Sequence, residues 1–353
     1  MLVESPPEPS AGPIAAPVTS ASPGRPVIRA VGLLLAVVAL VLVCLASIAI
    51  GAKALPLADV WHGLFHASGT HGDVLVRGVR VPRTVLGLIV GTALGLAGAV
   101  MQALTRNPLA EPGLLGVNAG ASAAVVSAIS FFGVTSLTGY VWFAFLGAAI
   151  VSVVVYLLGC SRSATPVRLA LAGTAASAAL FGYVNAVQLL DAAALDRLRF
   201  WTVGSLASAN METVGKVWPF IAVGVVLSLL IARPLNALEM GDDTARALGA
   251  HLVRTRVLAM LAVTLLCGAA TAACGPIVFI GLMIPHLVRA ITGPDMRWIL
   301  PYAAVLSPVL LLGADVVGRV IARPSELQVG IVTALLGGPV FIHLVRRKRM
   351  AQL

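Results

Sequence analysis

Long runs without charged residues dominate the pattern of polar and apolar positions. The runs cover residues 30–52, 84–105, 112–161, 169–190, 217–232, 257–288, 298–314 and 327–345. A run of about 20 such residues suffices for a helix that crosses a bilayer. The run 112–161 has 50 residues, so it needs two helices with a turn near Gly133 to Gly139. Gly275-Pro276 splits the run 257–288. The pattern therefore predicts ten spans, or nine if that split does not break a helix.

The basic residues at the two ends decide between nine and ten. Arg25 and Arg29 precede the first run, and RRKR at 346–349 follows the last. Such flanks are typical of the cytoplasmic side, and two cytoplasmic termini require an even number of spans, hence ten. Residues 1–29 contain seven prolines and predict a disordered cytoplasmic tail. The membrane domain is then 30–349, with a short tail at 350–353.

A cleaved signal peptide is the alternative interpretation of the first run. Its 23 uncharged residues exceed the apolar core of about 7–15 residues in a signal peptide. We therefore interpret it as the first membrane-spanning helix.

Composition supports the membrane assignment. Hydrophobic residues make up 59% of the 353 and charged residues 11%, whereas a soluble domain has about 25% charged residues. Because basic loops account for the net charge of +10, no nucleic-acid partner is expected. The chain contains no GxxxxGK[ST] sequence, so we expect it to bind no ATP through a P-loop and to need no cofactor of its own.

The segment between the first two spans predicts a short amphipathic helix over ADVWHGLFH, lying on the outer membrane surface. His62, His66 and His71 follow one another there and could bind a metal. Solvated surface histidines are the preferred interpretation, so no metal site is predicted.

One face of the fifth predicted helix is mildly polar. Its members recur every three or four residues and are Thr174, Ser177, Phe181, Asn185 and Gln188. This face could line a translocation path, or it could form the hydrogen bonds between helices that membrane proteins commonly use.

The loop 233–256, predicted on the inner side, carries a helix pattern of its own. Asp242 and Asp243 stand where acidic residues favour a helix N-terminus, and Gly249 stands where glycine commonly ends a helix. A simple connecting loop rarely needs a capped amphipathic helix.

Several motifs occur in a fixed order along the chain. They are RVPR at 80, GLAGAVMQ at 95, NPLAEPGLLGVNAG at 107, RLALAG at 168, LNALEMGDDTARALGA at 235, CGPIVFIGLMIPHLVR at 274 and ADVVGR at 314. Together they resemble the permease subunit of the ferric-siderophore and cobalamin ABC importers, the FecCD-type family. The resemblance covers roughly residues 30–349. The chain is therefore expected to be an all-α polytopic membrane protein with ten helices, in which helices 2–5 and 7–10 form an inverted repeat.

The resemblance implies the following partners. A second permease subunit, identical or paralogous, shares the pathway, and two ATPase subunits bind ATP and Mg. An extracytoplasmic binding protein delivers the substrate, expected to be a ferric siderophore, with haem or cobalamin as the alternative. The location implied is the bacterial cytoplasmic membrane. An ion-coupled secondary transporter is a less favoured alternative. Such transporters usually keep ionisable residues within their spans, and here such residues are scarce apart from Asp315.

The resemblance also assigns residues to roles. The contact with the ATPase is expected at Asn236, Leu238, Gly241, Asp242, Asp243, Ala245, Arg246, Leu248 and Gly249. The cytoplasmic gate is expected in the loop 161–168, at Ser163 and Thr165, and the polar face of helix five would line the path. The motifs that shape the two halves are expected at Gln102, Asn107, Pro108, Glu111, Pro112, Gly113, Asn118, Gly275, Pro276, Pro285 and His286.

Three arginines are predicted at the outer ends of spans, against the positive-inside trend. Arg80 and Arg83 begin helix two, and Arg319 ends helix nine. Such cations could reach lipid phosphates. The resemblance instead assigns them to docking, in bidentate pairs with carboxylates of the binding protein. A pair between Asp315 and Arg319 would compete with that docking.

Overall fold

The computed structural model describes residues 25–66, 69–134, 136–159 and 166–350. Every regular element in this part of the chain is helical. The α-helices are α1 Arg25–Ala49, α2 Leu57–Phe65, α3 His71–Leu75, α4 Val81–Thr105, α5 Val117–Phe132, α6 Leu137–Gly159, α7 Pro166–Leu190, α8 Ala192–Trp201, α9 Met211–Leu230, α10 Ala232–Glu239, α11 Asp242–Ala247, α12 Leu252–Cys274, α13 Ile280–Thr292, α14 Met296–Ile321 and α15 Val329–Met350. A π-helical turn, Val76–Arg80, joins α3 to α4, and a 3-10 turn, Pro112–Leu115, precedes α5.

Within the described residues, ten apolar helices match the ten predicted spans. Seven are long and apolar enough to cross a membrane, and α5, α13 and the apolar part of α15 are shorter. Both predicted breaks are present: Gly133, with φ of 64°, follows α5, and Gly275, with φ of 75°, follows α12. The prediction of an all-helical, polytopic membrane protein is confirmed.

Two helices form the centre of the bundle. In the most apolar window of the span that contains α4, 78% of residues are buried, and in α12 72% are, against 11% in α1. Glycines allow the close packing of α4, since a Cβ at Gly91 would meet the backbone of Pro308 and one at Gly98 the backbone of Gly281. We call the end of the bundle where α4 begins the outer end, and the end where α4 finishes the inner end.

The two halves of the chain use corresponding contacts. Helix α4 packs on α14 as α12 packs on α6, and α5 packs on α6 and α7 as α13 packs on α14 and α15. Helix α12 is the fifth span after α4, so equivalent helices run in opposite directions. These contacts are those expected of an inverted repeat.

Two segments start differently from prediction. The second span begins near Gly72 rather than Thr84, because Thr70 and Asp73 form a capping box that starts α3. Helix α1 begins at Arg25, five residues before the predicted start, and residues 1–24 lie outside the described part. The predicted amphipathic outer helix is α2.

Candidate functional site

A bridged set of charges is buried at the outer end. The Arg83 guanidinium donates to both carboxylate oxygens of Asp315. Its Nε lies 3.2 Å from Oδ1 and 3.0 Å from Oδ2, and its Nη2 lies 2.7 Å from Oδ1. Asp315 also faces Arg319 Nη2 at 3.0 Å, and Arg83 Nη1 donates to Glu326 at 2.6 Å. Asp315 is fully buried, so one carboxylate holds two arginines from two helices.

Arginines also cap the end of α1. The last carbonyls of a helix lack partners within it and attract cations. Arg80 donates to the carbonyls of Ile48 and Ala49 at 2.9 and 2.8 Å. Arg319 donates to those of Ser47 and Ile50 at 3.0 and 2.8 Å. These bonds attach the outer end of α1 to the start of α4 and to α14.

The three arginines predicted to dock a binding protein lie inside this chain rather than on its surface. Arg80, Arg83 and Arg319 are 5%, 4% and 1% exposed, and all three are bonded within the chain. In this conformation their guanidinium groups are bonded to carboxylates and carbonyls of the chain itself, and their role in docking stays a prediction. Arg319 does pair with Asp315, as its helical spacing suggested. The sequence did not indicate that Arg83 would bind Asp315 at two points, because Arg83 and Asp315 are 232 positions apart.

The inner segment, α10 and α11, is attached to the ends of four spanning helices. The two oxygens of Asp242 accept from Arg106 after α4, at 3.2 Å, and from Arg256 on α12, at 2.8 Å. Glu239 pairs with Arg289 of α13 at 2.8 Å. Asn236 connects to α14: its Nδ2 donates to Asp295 at 2.8 Å, and its Oδ1 accepts from the Met296 amide at 2.7 Å.

Asp295 caps the N-terminus of α14 and stays charged. Burial raises the pKa of its carboxyl, but hydrogen bonds from Arg297 and Asn236 lower it by more, so the pKa lies below its usual value. An ionised Asp295 is the better acceptor for the Asn236 amide.

The predicted ATPase-contact residues differ in burial, and three of them, Asn236, Gly241 and Asp242, are half-buried. Leu238 and Ala245 are buried, at 1% and 0% exposure, and hold the segment against the bundle. A second group is exposed and comprises Asp243, Arg246, Leu248 and Gly249. As predicted, Gly249, with φ of 77°, follows α11. Gly241, with φ of 106°, makes the turn between the two short helices. Helix α10 was not predicted.

Polar side chains of the first half hold the interrupted segment of the second half. Gln102 Nε2 donates to the carbonyl of Leu282 at 3.1 Å. Glu111 accepts from the amide of Phe279 at 3.1 Å. Asn118 Oδ1 accepts from the hydroxyl of Thr271 at 3.0 Å. The first bond joins α4 to α13, the second joins the turn before α5 to the start of α13, and the third joins α5 to α12.

The other predicted motif residues surround these bonds. The side chain of Asn107 accepts from the Leu109 amide at 3.0 Å and shapes the turn that contains Pro108, Pro112 and Gly113. Gly275 and Pro276 separate α12 from α13, Pro285 is buried within α13, and His286 is half-buried on the same helix.

The polar face of α7 remains open. Thr174, Phe181 and Asn185 are exposed, and Ser177 and Gln188 are half-buried. Thr174 donates to its own helix, at the carbonyl of Ala170. Asn185 and Gln188 make no hydrogen bond to another helix within the described residues, so this face is available to a path or a partner. Ser163 and Thr165 lie outside the described residues.

Residues 39–347 match the FecCD transport family. The chain belongs to the FecCD transport family. It is 48% identical over 304 residues to the ferric enterobactin transport system permease protein FepD of Escherichia coli (strain K12), covering 86% of this chain and 91% of that protein. It is 37% identical to the hemin transport system permease protein HmuU of Yersinia pestis, covering 88% and 93%.

A solved structure has the same fold as this family member. It is a metal-chelate type ABC transporter in an inward-facing conformation, with a TM-score of 0.78 and 28% identity, covering 90% of this chain and 99% of the other. The family assignment made from the motifs is thereby confirmed.

Several residues that form bonds at the inner end were not predicted from the sequence. Arg106, Glu239, Arg256, Arg289 and Asp295 each bond the inner segment or its neighbours, across separations of 14 to 136 residues. Asp295 alone left a local signal, as an acidic residue just before a helix. The other pairings depend on how the helices pack.

Proposed function

We propose that this chain is the membrane-spanning subunit of an ABC importer for ferric siderophores. The substrate arrives from an extracytoplasmic binding protein. A second permease subunit completes the pathway, and two separate ATPase subunits bind ATP and Mg and drive transport. Both termini lie in the cytoplasm of a bacterium. Siderophores are favoured over haem because identity is 48% to the enterobactin permease and 37% to the hemin permease.

The attachment of the inner segment carries the proposal. An ATPase can move a permease only by pushing on an exposed surface that is rigidly connected to the spans. The segment 232–249 offers Leu248, 64% exposed, on a base bonded to α4, α12, α13 and α14. A push on this surface would act on four spans together.

A cavity beside the base leaves room for that movement. It has a volume of about 550 Å³ and is lined by Gln102, Arg106, Asn236, Glu239 and Arg289 among others. Gln102 Oε1 and Arg289 Nε and Nη2 have no partner among the described residues. A rearrangement of the segment can therefore exchange hydrogen bonds here without breaking a packed apolar core.

Uptake measurements test the substrate class. The gene is expressed together with genes for an ATPase subunit and an extracytoplasmic binding protein in cells that lack their own siderophore, haem and cobalamin permeases. We expect uptake of iron-55 bound to catecholate or hydroxamate siderophores. Uptake of haem or cobalamin without uptake of any ferric siderophore would overturn the proposal.

A further inference from the structure

A groove with a positively charged rim lies where α11 meets the start of α12. Its basic side chains are Arg246, His251 and Arg254, and its apolar wall is formed by Val253, Val257 and Leu258. Helix α12 is one of the seven long apolar spans, and this wall belongs to its first two turns. The groove therefore opens at the depth where lipid head groups meet acyl chains.

The charges around this groove are unbalanced. Asp242 is occupied by Arg106 and Arg256. Asp243 pairs with Arg246 at 3.0 Å, and both side chains are largely exposed, so that pair contributes little and can open. Arg254 and His251 are exposed and have no partner within the described residues. An anion at the rim would meet Arg254 without displacing an existing bond.

An exposed apolar stripe continues from the groove along α12. Val253, Val257 and Leu261 are 72%, 44% and 45% exposed, and their spacing of four places them on one face. A soluble partner would have no reason to follow this stripe towards the middle of the membrane. An acyl chain attached to a head group in the groove would.

We propose that this groove binds one anionic phospholipid. Its phosphate accepts hydrogen bonds from Arg254 with support from His251 and Arg246, and one acyl chain lies along Val253, Val257 and Leu261. The inference rests on the proposed function only for its orientation, which makes this the cytoplasmic leaflet. Basic residues near that leaflet attract anionic lipids.

Native mass spectrometry of the full-length chain, with the subunits that co-purify, tests the site. The protein is titrated with phosphatidylglycerol or with phosphatidylcholine of the same acyl chains. We expect preferential retention of one phosphatidylglycerol per chain. Arg254→Gln should weaken retention about fivefold, as expected for one basic residue near a lipid surface at about 1 kcal/mol, and Arg254→Lys should weaken it less.

Arg233→Gln is the matched control, because Arg233 is an exposed arginine at the same end outside the groove. It should retain phosphatidylglycerol as the unaltered chain does. Equal retention of the two lipids, or undiminished retention by Arg254→Gln, would overturn the proposal. So would competition by free glycerol phosphate at matching concentration, which would indicate a site for soluble phosphate. Loss of the ATPase subunits from Arg254→Gln in neutral lipid would identify a protein contact instead. These outcomes are independent of siderophore uptake, so the two proposals can fail separately.

Discussion

Arg83 on α4 and Asp315 on α14 form a two-point ion pair inside the outer end of the bundle, at distances of 2.7 to 3.2 Å. Both side chains are nearly or fully buried, at 4% and 0% exposure. Planar guanidinium and carboxylate groups in this arrangement fix direction as well as distance. The pair therefore sets how α4 and α14 meet.

Removing the shared carboxylate should destabilise the protein strongly. Asp315→Ala leaves Arg83 and Arg319 buried without their counter-charge, and breaking such a pair costs about 3–5 kcal/mol. Glu326→Ala removes a side chain that is 32% exposed, and solvent screening limits that loss to about 0–1 kcal/mol. Thermal unfolding of the purified protein in one detergent compares the two variants. Equal shifts of the unfolding midpoint would contradict the prediction that Asp315 contributes more stability than Glu326.

A second prediction concerns the bond between Glu111 and the amide of Phe279. Glu111→Gln keeps an oxygen acceptor and should change little, whereas Glu111→Leu leaves a buried amide unsatisfied at a cost of about 1–3 kcal/mol. Because that amide lies at the start of α13, hydrogen exchange at residues 279–283 should accelerate in the leucine variant. Thr92→Val is the control. It removes the hydrogen bond from Thr92 on α4 to the carbonyl of Ala304 on α14, and so shows the effect of losing a hydrogen bond between helices away from α13. Equal exchange in the glutamine and leucine variants would show that Glu111 does not hold α13.

The sequence predicted the helices better than it predicted the site. Uncharged runs, Gly133 and Gly275 mark the spans because each signal is local: hydropathy within a run, or a backbone conformation that glycine favours. The burial of Arg80, Arg83 and Arg319 had no such signal. Their partners are Asp315 and the carbonyls at the end of α1, which become neighbours only after three distant helices have packed.

The inner segment was predicted only in part, because some of its features have a local signal in the sequence and others form only when the helices pack. The capped pattern of α11 was local and was found. The inward orientation of Ala245 and the pairing of Glu239 with Arg289 depend on contacts across 50 residues. The residues assigned to the ATPase contact by the family resemblance thus include both buried residues that hold the segment and exposed residues. A sequence motif does not distinguish these two kinds of residue.

Two substitutions, one in α11 and one directly after it, should separate residues that support the segment from residues that contact the ATPase. Ala245 has no exposed surface, so Ala245→Arg would overpack the base and should prevent the folded protein from accumulating. Leu248→Asp alters a side chain that is 64% exposed and should leave the midpoint of unfolding within about 2 °C. Its uptake should fall at least about tenfold, because a lost anchor at an interface typically costs 2 kcal/mol or more. Normal uptake by Leu248→Asp would exclude this surface as the ATPase contact.

Reporter fusions test the proposed orientation. A reporter that is active only outside the cytoplasm is fused after Ala110, after Gly133 and after Leu353. We expect activity only from the Gly133 fusion, because Gly133 follows α5, the third span, at the outer end. A cytoplasm-active reporter at the same three sites should give the reverse pattern. Activity outside the cytoplasm from the Leu353 fusion would mean an odd number of spans.

The last prediction is a charge exchange between Glu239 on α10 and Arg289 on α13. Their side chains are 15% and 24% exposed and lie 2.8 Å apart, so Glu239→Arg or Arg289→Glu places like charges in contact in a partly desolvated position. Each single variant should lower substrate transported per ATP hydrolysed in the reconstituted importer. The double exchange should restore part of it, with an interaction energy of about 0.5–3 kcal/mol in the cycle. The same exchange at Glu212 and Lys216, a 2.8 Å pair on α9 near the outer end, is the matched control and should leave that ratio unchanged. A purely structural pair would shift the unfolding midpoint while the transport ratio of the surviving protein stayed normal, and that result would remove Glu239 and Arg289 from the transmission of force.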